Sequence, residues 1–167
     1  MVIGASGAGS TGTSIALRTI SIVAPYNHYY HMVSYQSPSG ANFFLYLVII
    51  YSDGSTQLRV IDTGGWTPSG DPPVSDANVG SHSSLAIRAD GMPIISYYDQ
   101  TNGALKVASC TTWTCEPGTV DIMFIDGYPG NDVGRYTSMI IYPHPHTDHV
   151  LIAYYDGTNT ALKVAYL

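Results

Sequence analysis

The sequence predicts an all-β protein built from three repeated units of four short antiparallel strands each, and three observations carry that expectation. The first is an internal copy: Val79-Gly80-Ser81-His82-Ser83-Ser84-Leu85-Ala86-Ile87 returns as Val133-Gly134-Arg135-Tyr136-Thr137-Ser138-Met139-Ile140-Ile141, and the stretch Ser96 to Ala108 returns as Ala153 to Ala165. The second is composition, with 45% hydrophobic residues against 11% charged ones and 14 tyrosines against 6 lysines and arginines together. Such a chain keeps its solubility with hydroxyl and amide groups. The third is spacing: short segments rich in β-branched and aromatic residues alternate with Asp-Gly and Asn-Gly turn signals, too short for helices.

The units read as follows. In the second, Ser83 to Arg88, Ile94 to Tyr98 and Ala104 to Ala108 are strands, and a fourth is expected around Trp113 to Val120, beyond the loop bounded by Cys110 and Cys115. Polar and apolar residues do not alternate in Met92-Pro93-Ile94-Ile95-Ser96-Tyr97-Tyr98, as expected of a sheet covered on both faces. The first, more diverged unit takes Thr13 to Arg18, Met32 to Tyr35, Phe44 to Val48 and Gln57 to Asp62 as its strands, with Gly64 to Pro73 as the loop to the second. The third unit supplies three strands up to Leu167, and Met1 to Ala5 is expected to add its missing outer strand. The repeat offset of about 54 residues lies in the range of propeller blades and solenoid units. One domain, 1–167, is therefore expected, with blades near 13–63, 82–121 and 136–167 plus 1–6.

The run Asp132-Val133-Gly134-Arg135-Tyr136-Thr137-Ser138, followed by Tyr-Tyr-Asp-x-Thr-Asn and Leu-Lys-Val-Ala, resembles the β-propeller repeats of about 50 residues found in tandem in many bacterial and archaeal exported proteins. The likeness spans nearly all of the second and third units and only the framework of the first, where Gln36-Ser37 replaces Tyr-Asp. It implies a β-propeller fold and no single activity. Three blades do not comfortably close a ring, since propellers usually have about four to eight. The expected partner is a second copy completing a six-bladed homodimer, resembling small oligomeric propeller lectins, with strand exchange by the N-terminal segment. A contact that fails to close would give a filament instead.

The Asp-x-Thr-Asn turns place Asp99 and Asn102, and Asp156 and Asn159, beside Tyr97 and Tyr154. Structural turns explain both copies, because Asp and Asn bond their own backbone; ligand contact is the competing reading. His28, Tyr29, Tyr30 and His31 are expected in a long loop of the first unit, where aromatic faces and imidazoles suit a sugar ring. The equivalent loop of the third unit carries His144, His146, Asp148 and His149, a set able to hold a divalent metal or simply an exposed polar loop stiffened by proline. No cofactor is otherwise implied. Cys110 and Cys115 form either a local disulfide or two plain thiols.

Twelve scattered acids give a net charge of −6 without a basic cluster, which argues against nucleic acid as a partner. The longest apolar run, Phe43 to Tyr51, is about half of the roughly 20 residues a membrane helix needs. Met1 to Gly7 lacks the features of a secretory signal, although an extracellular or cell-surface setting suits the composition and the resemblance. Catalysis has little support: Glu116 is the only glutamate, and Arg18 and Arg88, which match in position as an arginine cluster would, give way to Tyr142 in the third unit. The expected function is non-enzymatic, lectin-like recognition of glycan or cell-surface material. A self-assembling structural protein is the alternative, and a polysaccharide hydrolase or lyase comes third.

Overall fold

The computed structural model describes residues 20–22, 28–64, 77–127, 130–142 and 149–167, with the backbone alone considered at 20–22 and 28–30. Eleven strands and no helix occur among them. They form three antiparallel sheets, ordered β1-β2-β3-β4, β5-β6-β7-β8 and β11-β10-β9. Sheet 1 holds β1 (Ile20–Ile22), β2 (His28–Ser39), β3 (Asn42–Tyr51) and β4 (Thr56–Asp62). Sheet 2 holds β5 (Val79–Ile87), β6 (Pro93–Asp99), β7 (Ala104–Cys110) and β8 (Val120–Gly127), and sheet 3 holds β9 (Val133–Tyr142), β10 (His149–Asp156) and β11 (Ala161–Tyr166). The expected strands Thr13 to Arg18 and Met1 to Ala5, the blade end at 1–6 and most of the loop 64–73 lie outside the described residues.

Several expected placements change. The fourth strand of the second unit is not Trp113 to Val120 but Val120–Gly127, which pairs with β7 from Cys110↔Val120 to Ala104↔Gly127. The preceding stretch is a closed loop, because Cys110 and Cys115 are joined by a disulfide with Cα atoms 5.2 Å apart and Thr119 donates its amide to Glu116 O. Likewise His28 to His31 are not loop residues: β2 begins at His28 and pairs with β1 through Tyr30↔Ile20 and with β3 through Tyr30↔Tyr51.

The sheets stack with sheet 2 in the middle. Its two central strands, β6 and β7, are buried at every position, which is why polar and apolar residues do not alternate there. The core between sheets 1 and 2 includes Met32, Leu45, Leu47, Ile49, Leu85, Ile95 and Tyr97. The core between sheets 2 and 3 includes Leu105, Val107, Met139, Val150, Ile152 and Tyr154. The two interfaces use the same positions of the repeat. Ser34 Oγ meets Ser83 Oγ across the first at 3.0 Å, and Ser96 Oγ donates to Thr137 Oγ1 across the second, also at 3.0 Å. The disulfide loop clamps sheet 1, since Arg59 Nε donates to Thr114 O at 3.0 Å and the Trp113 and Tyr51 rings meet edge to face. Arg88 is spent inside sheet 2, donating to Ser109 Oγ and Cys110 O and pairing with Asp90.

Candidate functional site

Ion-paired carboxylates occur at equivalent places in both interfaces. At the first, the Lys106 ammonium lies 2.6 Å from Asp99 of its own sheet and 3.4 Å from Asp62 at the end of β4, with all three side chains buried. Tyr97 donates its hydroxyl to Asp62 at 2.6 Å, and Gly64 its amide at 2.7 Å. At the second, Lys163 pairs with Asp156 of its own sheet and with Asp126 of β8, and Tyr154 donates to Asp126. Each cluster is a three-part staple: an aspartate from one sheet accepts from a tyrosine and a lysine of the next. Burial, and then the neighbouring Asp62, pushes the Tyr97 hydroxyl well above the ordinary tyrosine range; burial with the bond to Asp126 does the same for Tyr154.

These staples and their turns absorb most of the residues singled out from sequence. Asn102 donates backbone and side-chain N–H groups to Asp99, and Asn159 does the same to Asp156. The threonine of each turn accepts from the backbone just before the sheet's first strand, Thr101 from Asn78 and Thr158 from Asp132. Tyr97, Asp99, Tyr154 and Asp156 are buried, and Asn102 and Asn159 hold the turns. His144, His146 and Asp148 lie outside the described residues, as do the side chains of His28, Tyr29 and Tyr30. His31 is half-buried on β2, and His149 is not a loop residue as expected but opens β10 opposite Tyr142, with its ring stacked on Tyr166. Among the described residues no three His, Cys, Asp or Glu side chains gather as a metal site.

The second staple makes stability depend on pH. Burial would raise the Asp126 carboxyl, but bonds from Lys163, Tyr154 and the Gly127 amide outweigh it and leave it lowered. Asp156 is lowered by the side chain and amide of Asn159, with Lys163 assisting. An unfolded aspartate titrates at about 3.9, so the staple contributes fully above that value and its stabilisation is lost as pH falls through the lower folded values. Thermal melts between neutral pH and about pH 3 should therefore show a falling Tm, with a shallower fall in Asp126→Asn. Equal slopes in the two proteins would contradict this.

An open cluster of aromatic side chains sits at the seam between sheets 2 and 3. His82 and Tyr136 occupy the same position of the two repeats, and both have left-handed backbones, φ 53° and 56°. Each follows a bulged glycine segment, Gly80-Ser81 or Gly134-Arg135; the register of β5 with β6 is broken between Ser81 and Ser84, and that of β9 with β10 around Arg135. The bulge turns the two rings toward one another, with centroids 4.4 Å apart, while Tyr98 lies 6.3 Å from His82 and Tyr155 lies 6.4 Å from Tyr136. Tyr136 is 67% exposed. Arg135 stacks over the Tyr98 ring at 5.5 Å and pairs with Asp132 at 2.8 Å, and Tyr98 donates to that same Asp132. Burial, then the Arg135 charge, lowers the His82 imidazole from its ordinary range, which favours the neutral ring, with one nitrogen able to donate and the other able to accept. The repeat displays the positions of His82, Arg135 and Tyr136, but only the bulge brings them together.

The fold defines the class: an all-β protein of stacked antiparallel sheets of three or four strands. Comparison with known proteins adds no relative, since no family model, no curated protein and no solved structure matches the chain significantly.

Proposed function

We propose that the chain is a non-enzymatic binding module, a β-propeller-type stack of blades that recognises glycan on cell-surface material at the seam formed by His82, Tyr98, Arg135, Tyr136 and Tyr155. The observation that carries this reading is the exposed aromatic shelf of Tyr136 against His82, held in left-handed backbone that costs about 1–2 kcal/mol per residue and recurs at the same repeat position. A sugar ring presents C–H groups to an aromatic face and hydroxyls to neighbouring donors and acceptors. The shelf supplies the first; the neutral His82, with Arg135 and Asp132, supplies the second. The carboxylate pairs Asp62/Asp99 and Asp126/Asp156 are bridged by lysine ammonium groups, and Glu116 accepts from Thr114 inside the disulfide loop, which leaves them poorly suited to acid–base work on a glycoside.

A glycan array followed by calorimetry on the best glycan tests the reading. Tyr136→Ala and His82→Ala should each weaken binding about tenfold or more, about 1.4 kcal/mol, without a change in particle mass. No binding on the array at high protein concentration, or variants that bind like the parent protein, would overturn it.

A further inference from the structure

We infer that the outer face of sheet 3 is a docking surface for a second copy of this chain, seated head to tail through the outer face of sheet 1. The inference does not depend on the glycan reading: it needs no ligand, and of the seam residues it shares only Tyr155.

Two sheet-to-sheet interfaces already lie inside the chain. In sheet 2, Tyr98 and Leu105 are paired across β6 and β7, as are Ser96 and Val107, and this face packs against sheet 3. In sheet 3, Tyr155 pairs with Leu162 and Ala153 with Val164 in the same register. Nothing described covers them: Leu162 is 77% and Val164 60% exposed, where Leu105 and Val107 are fully buried. Sheet 3 therefore presents outward the face that, one repeat earlier, is closed by the opposite face of a neighbouring sheet.

The described chain holds one such opposite face without a sheet upon it. On sheet 1, Tyr35, Tyr46 and Val60 lie side by side across β2, β3 and β4, in the register that Tyr97 and Lys106 occupy in sheet 2. The Tyr35 and Tyr46 rings stack at 5.6 Å, and Leu58 and Val60 on the same face are 53% and 50% exposed. Sheet 2 stands between this face and the outer face of sheet 3, so the two meet only between copies.

Charge supports the same pairing. Both internal interfaces use a lysine and two aspartates, and a buried carboxylate without its cation is costly. On sheet 1 the lysine position is Tyr46 and the aspartate position is Ser37, so neither of these two positions holds a charge. On sheet 3 the outer rows Ile140–Leu151–Tyr166 and Ser138–Ala153–Val164 carry no charge, and Ala153 replaces the Ser96 that bonds across the second interface. Sheet 1 thus offers aromatic and hydroxyl groups where the staple has its lysine and aspartate, and the rows of sheet 3 that would meet it are apolar. The resulting contact is heterologous, with two different patches on each copy, and it extends or closes according to the angle between sheets.

Sedimentation or light scattering at micromolar concentration tests this with two exposed substitutions, Val164→Lys on sheet 3 and Val60→Glu on sheet 1, each checked for an unchanged melting curve at low concentration. The expected result is a parent assembly larger than one chain, single variants that both fall to monomer, and an equimolar mixture of the two that regains assembly. Regain follows because one contact in the mixture is unaltered and the other sets Lys against Glu. Assembly lost with Val164→Lys but kept with Val60→Glu would mean that sheet 3 faces sheet 3, and would overturn the proposal. A monomeric parent would also overturn it, and a Val164→Lys variant that is then less stable would show that a segment of the same chain covers the face.

Discussion

Replacing Lys106 by Met is expected to lower the unfolding free energy by about 3–5 kcal/mol, because it strands two buried carboxylates that share one ammonium. Lys106 is fully buried, lies over the Phe124 ring at 4.5 Å and is the cation between Asp62 of sheet 1 and Asp99 of sheet 2. Its methylene stem is replaced well by Met, so the loss is electrostatic rather than a cavity. For a chain of this size that corresponds to a fall in Tm of about 10 °C or more. Removing the acids as well, in Asp62→Asn with Asp99→Asn and Lys106→Met, should restore much of the stability, since a neutral set carries less desolvation cost than a broken pair. The equivalent Lys163→Met should cost less, because that side chain is 41% exposed and water screens what it leaves behind. Denaturant melts of the four proteins decide the matter. Equal losses at Lys106 and Lys163, or a triple variant no better than the single one, would contradict the staple.

Gly134→Ala is the second large effect. Gly134 has φ +108°, and a Cβ there would lie 2.7 Å from Leu105 Cα and 2.8 Å from Leu105 N, so it would press on the backbone of the neighbouring sheet. Gly80 meets Leu45 of sheet 1 in the same way, with 2.7 Å to its Cα. The first strand of sheets 2 and 3 thus rests directly on the third strand of the sheet before it. An alanine bears the left-handed backbone cost of about 1–2 kcal/mol and an overpacking cost of about 1–3 kcal/mol, and no flexible side chain can move aside. Gly54→Ala isolates the first cost: φ there is +83°, with nothing within 4 Å of the added carbon. Chemical melts should show Gly134→Ala losing more than Gly54→Ala by the overpacking amount. Should the two lose equally, the close approach of the strands carries no weight in stability.

Much of the scaffold is legible along the chain because it is built from neighbours. Asp-x-Thr-Asn reads as a turn since Asp99 and Asn102 bond within four residues, and the non-alternating run through Tyr98 reads as doubly covered strand. Composition alone puts the fourth strand of the second unit too early, at Trp113, because an aromatic between threonines has strand-like composition whether or not a disulfide closes it into a loop. The site is far less legible. Tyr97 and Tyr154 stand beside the repeated turns and suit a ligand by type, yet in the structure their hydroxyls point to Asp62 and Asp126 inside the interfaces. The aromatic shelf is not legible in the sequence because His82, Arg135 and Tyr136 differ in type from their counterparts in the other copy, and their meeting depends on a bulge that no local pattern announces.

By itself the sequence determined the repeat, the all-β class and the turns, because hydrogen bonds and strand propensity act over a few residues and leave a periodic trace. Only the tertiary structure decided which carboxylates share a lysine, which tyrosines are buried and which faces remain uncovered. Lys106 and Asp62 are 44 residues apart and meet because two sheets pack face to face, and whether Leu105 or its copy Leu162 sees water depends on whether another sheet lies upon it. The two leucines share a local sequence, and packing alone gives them opposite surroundings.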